Sequence, residues 1–156
     1  MRIFWTIGAI VGISVSLRPV ERHVLQPPVQ FGQLRFEARS EAIAGGSVLR
    51  TTVRIVNRGR DSTWIELGAD CTVVTRVYKG DVMRKEPVWD GLGRICFSMS
   101  RAFKLLPNRP IEVSRADTIA RILGDSLAAG TYDLSAVLRV QRAQLEIPTG
   151  SMFLRR

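Results

Sequence analysis

The sequence predicts an all-β protein, an antiparallel β-sandwich of about seven to nine strands. Three observations lead there. First, the stretch Leu127 to Val140 alternates: Tyr132, Leu134, Ala136, Leu138 and Val140 fall on one face, and Asp133, Ser135, Arg139 and Gln141 on the other, with Val137 the one apolar exception. A period of two marks a half-buried strand, because successive side chains leave a sheet on opposite faces. Second, short apolar runs are separated by turn signals roughly every 8–12 residues. Third, no strand-like run is joined to an amphipathic helix of about 12 residues, so a parallel α/β sheet is not expected.

The elements follow in chain order. Leu17 to Pro28 reads as a linker, with Pro19, Pro27 and Pro28 and no periodic pattern. Phe31 to Ala38 is the first strand, with Leu34, Phe36 and Ala38 inward. Ala44-Gly45-Gly46-Ser47 is a turn. Leu49, Thr51, Val53 and Ile55 then alternate with Arg50, Thr52 and Arg54 in a second strand that ends at Asn57-Arg58-Gly59. Thr63 to Leu67 is a short third strand, in which either Trp64 or Ile65 must face outward. Cys71 to Tyr78 is a fourth. Lys79 to Glu86, with Gly80-Asp81, is a hairpin loop, followed by an extended Pro87 to Asp90, the glycines 91 and 93, and a strand at Ile95 to Met99. Leu105 to Asn108 reads as a loop before a strand at Ile111 to Ser114. Asp117 to Leu123 fits one helical turn or a strand equally well. The Gly130-Thr131-Tyr132 entry has the form of a tyrosine corner, in which the phenol bonds back to upstream backbone. Leu145 to Ile147 and Met152 to Leu154 supply the closing strand or strands.

A chain of 156 residues is long enough for one domain with a real core. Met1 to Ser16 has the form of a secretory signal: Arg2 gives the basic start, Ile3 to Val15 is uncharged and mostly apolar, and Ser14-Val15-Ser16 offers a small-x-small cleavage site. The run is short of the roughly 20 residues that span a bilayer. An uncleaved anchor and a buried core element are the other two readings. No cysteine lies near residue 20, so a lipid-modified amino terminus is not expected. The organisation is therefore a signal or anchor over 1–16, a linker over 17–28 and a sandwich domain over 29–156, placed outside the cytoplasm. Cys71 and Cys96 are the only cysteines, and an exported chain favours their pairing as a disulfide. The loop closed would span 26 residues, 71 to 96, and would stabilise by about 3–4 kcal/mol on the chain-entropy model. The plain alternative is two small buried hydrophobes.

The formal charge is +9, and Lys79, Lys85 and Lys104 are the only lysines. A high-GC genome writes a soluble surface in arginine without selection on function. The sharper reading is a face for anionic partners, since guanidinium groups suit carboxylates and phosphates. Arg50 and Arg54, with Arg58, Arg60 and Arg139, are the candidates to share such a face. It lacks the interleaved aromatics of a single-strand nucleic-acid groove, so no nucleic acid is expected. Catalytic signals are weaker still. His23 is the only histidine and sits in the linker, where no packed site orients a base. Two cysteines and one histidine make no zinc site. Asp61, Asp70, Asp81 and Asp90 lack calcium-loop spacing, and no glycine-rich phosphate loop follows a strand. An enzyme, a cofactor, a metal and a small-molecule substrate are all unexpected. Trp89 and Asp90, beside glycines in a loop, are the candidate interaction pair, because a loop tryptophan with a charged neighbour can anchor a partner. The alternative is a tryptophan folded down as a lid on the sandwich end.

These residues also resemble a family. Leu49 to Asn57 looks like the second strand of the domain named after the Bacillus intracellular proteinase inhibitor. Val88-Trp89 resembles its hairpin tryptophan, Leu106-Pro107-Asn108 its Pro-Gly turn with Asn in place of Gly, and Gly130-Thr131-Tyr132 its Pro-Gly-Thr-Tyr strand with Ala129 in the proline position. The resemblance runs from about Val48 to Val140. It implies an immunoglobulin-like sandwich of unknown or proteinase-inhibiting role. No reactive-site motif is matched, so no inhibitory residue is assigned. The function expected is that of an exported, non-catalytic module presenting Lys79 to Arg94 to a protein partner in the cell envelope. The rivals are a proteinase inhibitor and a binder of anionic polymer or lipid headgroups through the arginine face.

Overall fold

The computed structural model describes residues 28–68, 71–80, 86–92, 100–140 and 143–156. The signal-like segment, nearly all of the linker, the strand expected at Ile95–Met99 and most of the hairpin loop expected at Lys79–Glu86 lie outside them. The described chain forms ten strands: β1 (Val29–Phe31), β2 (Leu34–Ile43), β3 (Val48–Asn57), β4 (Thr63–Gly68), β5 (Val73–Tyr78), β6 (Trp89–Asp90), β7 (Ser100–Leu105), β8 (Ile111–Thr118), β9 (Gly130–Val140) and β10 (Ala143–Leu154). One short helix, α1 (Ile119–Leu123), follows β8. Among the described residues no helix is long and apolar enough to cross a membrane.

The strands make two antiparallel sheets, so the fold is an all-β sandwich. The first runs β1-β2-β3-β8. The second has six strands built around β9. β10 lines one edge of β9 throughout, from Ala143 opposite Val140 to Leu154 opposite Gly130. β5 and then β4 share the other edge, with Val73 opposite Leu138, Tyr78 opposite Asp133, and Leu67 opposite Val140. β6 and β7 extend this sheet outward. The chain changes sheet after Asn57, after Leu105 and after Thr118, as a Greek key requires.

Local chemistry explains the differences from the sequence reading. The first strand divides at Gly32, whose φ of 59° turns the chain between β1 and β2. The ambiguous segment 117–123 is both things in turn: β8 runs to Thr118, whose hydroxyl then accepts from Arg121 N at 3.4 Å and caps α1. β7 is an element that the pattern left unread, although Phe103 and Leu105 alternate in it. Cys71 precedes β5 instead of opening it. The closing strand is single, with a register shift between Pro148 and Gly150. β9 is buried on both faces at its centre, since Ser135 and Val137 are as buried as Leu134 and Leu138.

Inward side chains form two apolar clusters. One holds Phe36, Val53, Ile55, Ile65, Leu67 and Leu138 among others. The second, towards α1, gathers Leu49, Val77, Ile122, Leu123, Tyr132 and Leu154. Each fully buried Leu, Ile or Phe contributes about 1.5–3 kcal/mol. Tyr132 donates to Ala128 O at 2.6 Å, which is the tyrosine-corner bond. Between the clusters lies a row of buried hydroxyls. Thr75 on β5 donates to Thr51 on β3 at 2.8 Å, Thr51 meets Ser40 on β2 at 3.1 Å, and Ser40 meets Thr149 on β10 at 2.8 Å.

The sheet edges are guarded. Arg115 and Asp117 stand on the inward face of edge strand β8, in register with Thr51 and Leu49, β10 carries Pro148 and a bulge, and β1 is only three residues long. Inward charges, proline and short length all discourage pairing with another chain. Thr51→Val should cost about 1–3 kcal/mol, because it leaves the buried Thr75 hydroxyl without its acceptor and Ser40 with Thr149 alone. Ser40→Ala/Thr51→Val/Thr75→Val should recover part of that loss in urea unfolding. A triple variant less stable than the single one would contradict the assignment.

Candidate interaction surface

Trp89 and Asp90 sit on β6, paired with Val77 and Arg76 of β5. Both are committed to the fold. The Trp89 indole is half-buried against the α1-side cluster. It lies over Gly91, where a Cβ would come within 3.0 Å of the ring and 2.9 Å of Thr75 O. Only glycine fits there, which fixes the tryptophan as a lid. Asp90 accepts from Leu92 N at 2.8 Å through one oxygen and from Arg76 Nε at 3.0 Å through the other.

Arg76 in turn anchors a polar cluster on the outer face of the six-stranded sheet. Its Nη1 donates to Glu146 Oε2 at 2.8 Å. The other Glu146 oxygen accepts from Ser135 Oγ at 2.6 Å and from the Tyr78 hydroxyl. With its amide rotated, Gln144 adds acceptor contacts to Arg76 at 3.0 and 3.1 Å. Burial opposes the Arg76 charge, but Asp90 and then Glu146 more than offset it, so its pKa lies above the ordinary value. Burial, and next the hydrogen bond and charge of Glu146, push the Tyr78 phenol up. Every charged or hydroxyl group here has its partner within the cluster, which closes the face of β9.

Arg50 and Arg54 lie on the outer face of the four-stranded sheet, and the pairing register explains what they do. Arg50 stands opposite Glu41, and Arg54 stands between Glu37 and Glu112. The ion pairs are Arg50–Glu41 at 3.7 Å, Arg54–Glu37 at 3.4 Å, Arg35–Glu37 at 2.8 Å and Arg39–Glu112 at 3.8 Å. This is a mixed-charge face with a shallow hollow over Thr52, not a cationic one. The face shared with Arg139 does not exist: Arg139 is on β9, in the opposite sheet.

Four of the cations without carboxylate partners gather elsewhere, while Arg101, Arg139 and Arg155 are unpaired at other places on the surface. The end of the sandwich that carries the β1–β2, β3–β4 and β7–β8 turns holds Arg58, Arg60, Lys104 and Arg109, all exposed and none in an ion pair. The scaffold beneath them is Asn57, fully buried at the end of β3. Its Nδ2 donates to Asp61 O at 2.8 Å and Leu105 O at 3.1 Å, and its Oδ1 accepts from Gly59 N at 2.8 Å. Its backbone O accepts from Asn108 N at 2.8 Å, and Arg58 N reaches Gln33 O at 2.8 Å. The Asn57 side chain thus ties the β3–β4 turn to the end of β7, and the backbone of residues 57 and 58 adds the β7–β8 and β1–β2 turns. The same end carries three of the five large exposed apolar side chains among the described residues, Trp64 at 62%, Phe31 at 48% and Leu106 at 41%. Trp64 points outward from β4 opposite Lys104, while its neighbour Ile65 enters the core. Sequence reading noticed Trp64 but had no means of bringing it beside residues 31, 60 and 106. Cys71 lies half-buried before β5, and the expected partner Cys96 is outside the described residues.

No family model matches this chain, and no curated protein matches it. Among solved structures it is similar to the Bordetella pertussis protein described as ApaA, at 14% identity over 83% of this chain and 95% of that one, with a TM-score of 0.39. It is similar also to β-glucosidase 3B from Thermotoga neapolitana in complex with glucose, at 16% identity, 78% of this chain, 17% of that one and a TM-score of 0.38. A β-glucosidase from Listeria innocua in complex with glucose gives 12%, 78%, 17% and 0.36 in the same order.

The polar cluster has a pH signature. The folded state holds the Tyr78 proton more tightly than the unfolded chain does. That contribution is complete below pH 10, the ordinary phenol value, and is lost as pH rises through the higher folded pKa. Tyr78→Phe should cost about 1 kcal/mol at neutral pH and lose less stability than the parent above pH 10. Urea unfolding at stepped pH measures this, and parallel alkaline arms would refute it.

Proposed function

We propose that the protein is an exported, non-catalytic interaction module of the cell envelope that docks through the Asn57-tied end of its sandwich. One observation carries this reading: four unpaired cations and three of the large exposed apolar side chains coincide there, while the exposed arginines of the four-stranded sheet are each ion-paired with a glutamate. The surface differs from the Lys79 to Arg94 segment expected from sequence, because Trp89 and Asp90 spend their contacts on packing and on Arg76. The signal-like start supports export, the cysteine pair fits an oxidising compartment, and the resemblance to the proteinase-inhibitor domain supports a role without catalysis. The partner presents negative charge and an apolar surface.

The test separates location from total charge. Arg60→Gln/Arg109→Gln and Arg50→Gln/Arg54→Gln remove the same charge from two different places. Co-sedimentation of the full chain with the envelope fraction of its source should fall at least about fivefold for the first pair and stay near the parent for the second. Equal retention of all three proteins would refute the docking end.

A further inference from the structure

The geometry points to the surface of an anionic lipid bilayer as what this end docks on. The inference rests on the docking end proposed above and names its partner. Charge complementarity is the first argument. Arg60, Lys104 and Arg109 carry no ion pair, and Arg58 is held only by Asn108 Oδ1, at 3.2 Å. Basic groups of this kind near an anionic headgroup layer each strengthen binding, and the effect fades within a Debye length. Four such cations at one end, with Asp61 in the same turn offsetting one of them, are therefore worth more than the same charge spread over the domain.

The second argument is how the apolar groups are spaced. Phe31 ends β1, Trp64 stands on the outer face of β4, and Leu106 is in the β7–β8 turn. Phe31 belongs to the four-stranded sheet, Trp64 to the six-stranded one and Leu106 to the turn that joins them, and Lys104 stands opposite Trp64. A protein hot spot needs contiguous anchors in one desolvated pocket. Separate apolar tips flanked by cations suit a fluid headgroup layer, where each side chain inserts on its own and long basic side chains reach the phosphates. The most exposed of them is tryptophan, whose amphipathic ring favours the membrane–water interface.

The third argument is rigidity. Asn57 bonds the β3–β4 turn to the end of β7 and, through its backbone, to the β7–β8 turn. The cations and apolar tips are thus presented in a fixed arrangement, and little ordering remains to oppose binding.

The full chain is tested with vesicles of phosphatidylcholine alone and of phosphatidylcholine with phosphatidylglycerol. Comparisons between variants cancel any contribution from the apolar segment 3–15. Binding to the anionic vesicles should exceed binding to the neutral ones. It should fall about tenfold in Arg60→Gln/Arg109→Gln and about fivefold in Trp64→Ala, and be unchanged in Arg50→Gln/Arg54→Gln. Brominated lipid should quench the parent more than Trp64→Phe, which assigns the inserted ring. Circular dichroism checks that each variant is folded, and the exposure of residues 60, 64 and 109 makes all of them tolerable. Equal binding by every variant, or equal quenching of parent and Trp64→Phe, overturns the bilayer assignment. So does binding to soluble polyphosphate that matches the anionic vesicles. If Arg60→Gln/Arg109→Gln loses the envelope fraction but not the vesicles, the docking end stands and its partner is an envelope protein.

Discussion

The bond from Thr75 to Thr51 is the one on which the relation of the two sheets depends. Apolar contacts between sheets are non-directional, so the two clusters alone would tolerate sliding by a pleat. A buried hydroxyl has no such freedom. Its hydrogen bond is strong in the low dielectric between the sheets, and its loss strands a polar group there. Thr75 is the only donor in the row fixed by geometry, and it joins β5 to β3 across the interior. Ser40 then carries the row to β10 through Thr149, where the register of β10 shifts. Four strands from both sheets are thereby locked at one level, and the core divides above and below it.

With the level set, the ends of the sandwich take different characters. Towards α1 the end is closed by apolar packing, with Ile122, Leu123 and Tyr132 over Leu49 and Val77. The opposite end is closed by hydrogen bonds through Asn57. A polar closure leaves the surface above it free to be charged, because the turns do not need their side chains to cover a core. The charged residues 58, 60 and 109 and the exposed 31 and 106 all occupy turns or strand ends released in this way.

The sequence was most legible where one strand faces one core. The alternation in β3 and β9 predicts their inward residues, and the turns at 44–47 and 57–59 follow from glycine and asparagine. Legibility failed where the cause lies across strands. The glutamates paired with Arg50 and Arg54 come from the neighbouring strand β2, and the one paired with Arg39 comes from β8, so each lies across strands from its arginine. The burial of Ser135 depends on Glu146 and Tyr78, and that of Trp89 on a glycine two positions on. β7 escaped because its alternation is broken by Arg101, an inward position at the sheet margin where the guanidinium stacks on Phe103 at 5.4 Å. In each case the pattern was present, but its meaning was set by a partner that no local window contains.

The same distinction governs how the net charge of +9 should be read. An exposed ion pair adds little stability, yet it cancels the field that its arginine would project. On the four-stranded face Glu37, Glu41 and Glu112 do this for three of the four charges of Arg35, Arg39, Arg50 and Arg54, with Glu37 shared by two of them. Arg76 is cancelled on the other face by Asp90 and Glu146. Among the described residues, four of the cations left without a carboxylate, Arg58, Arg60, Lys104 and Arg109, stand at the end around Asn57, and Arg101, Arg139 and Arg155 stand apart from them. At physiological ionic strength charges are felt over about 8 Å, so a surface responds to the charges it approaches and not to the total. On the proposed docking the domain would meet a negative surface with its β3–β4 and β7–β8 turns first, and those are the turns that one buried asparagine holds in place.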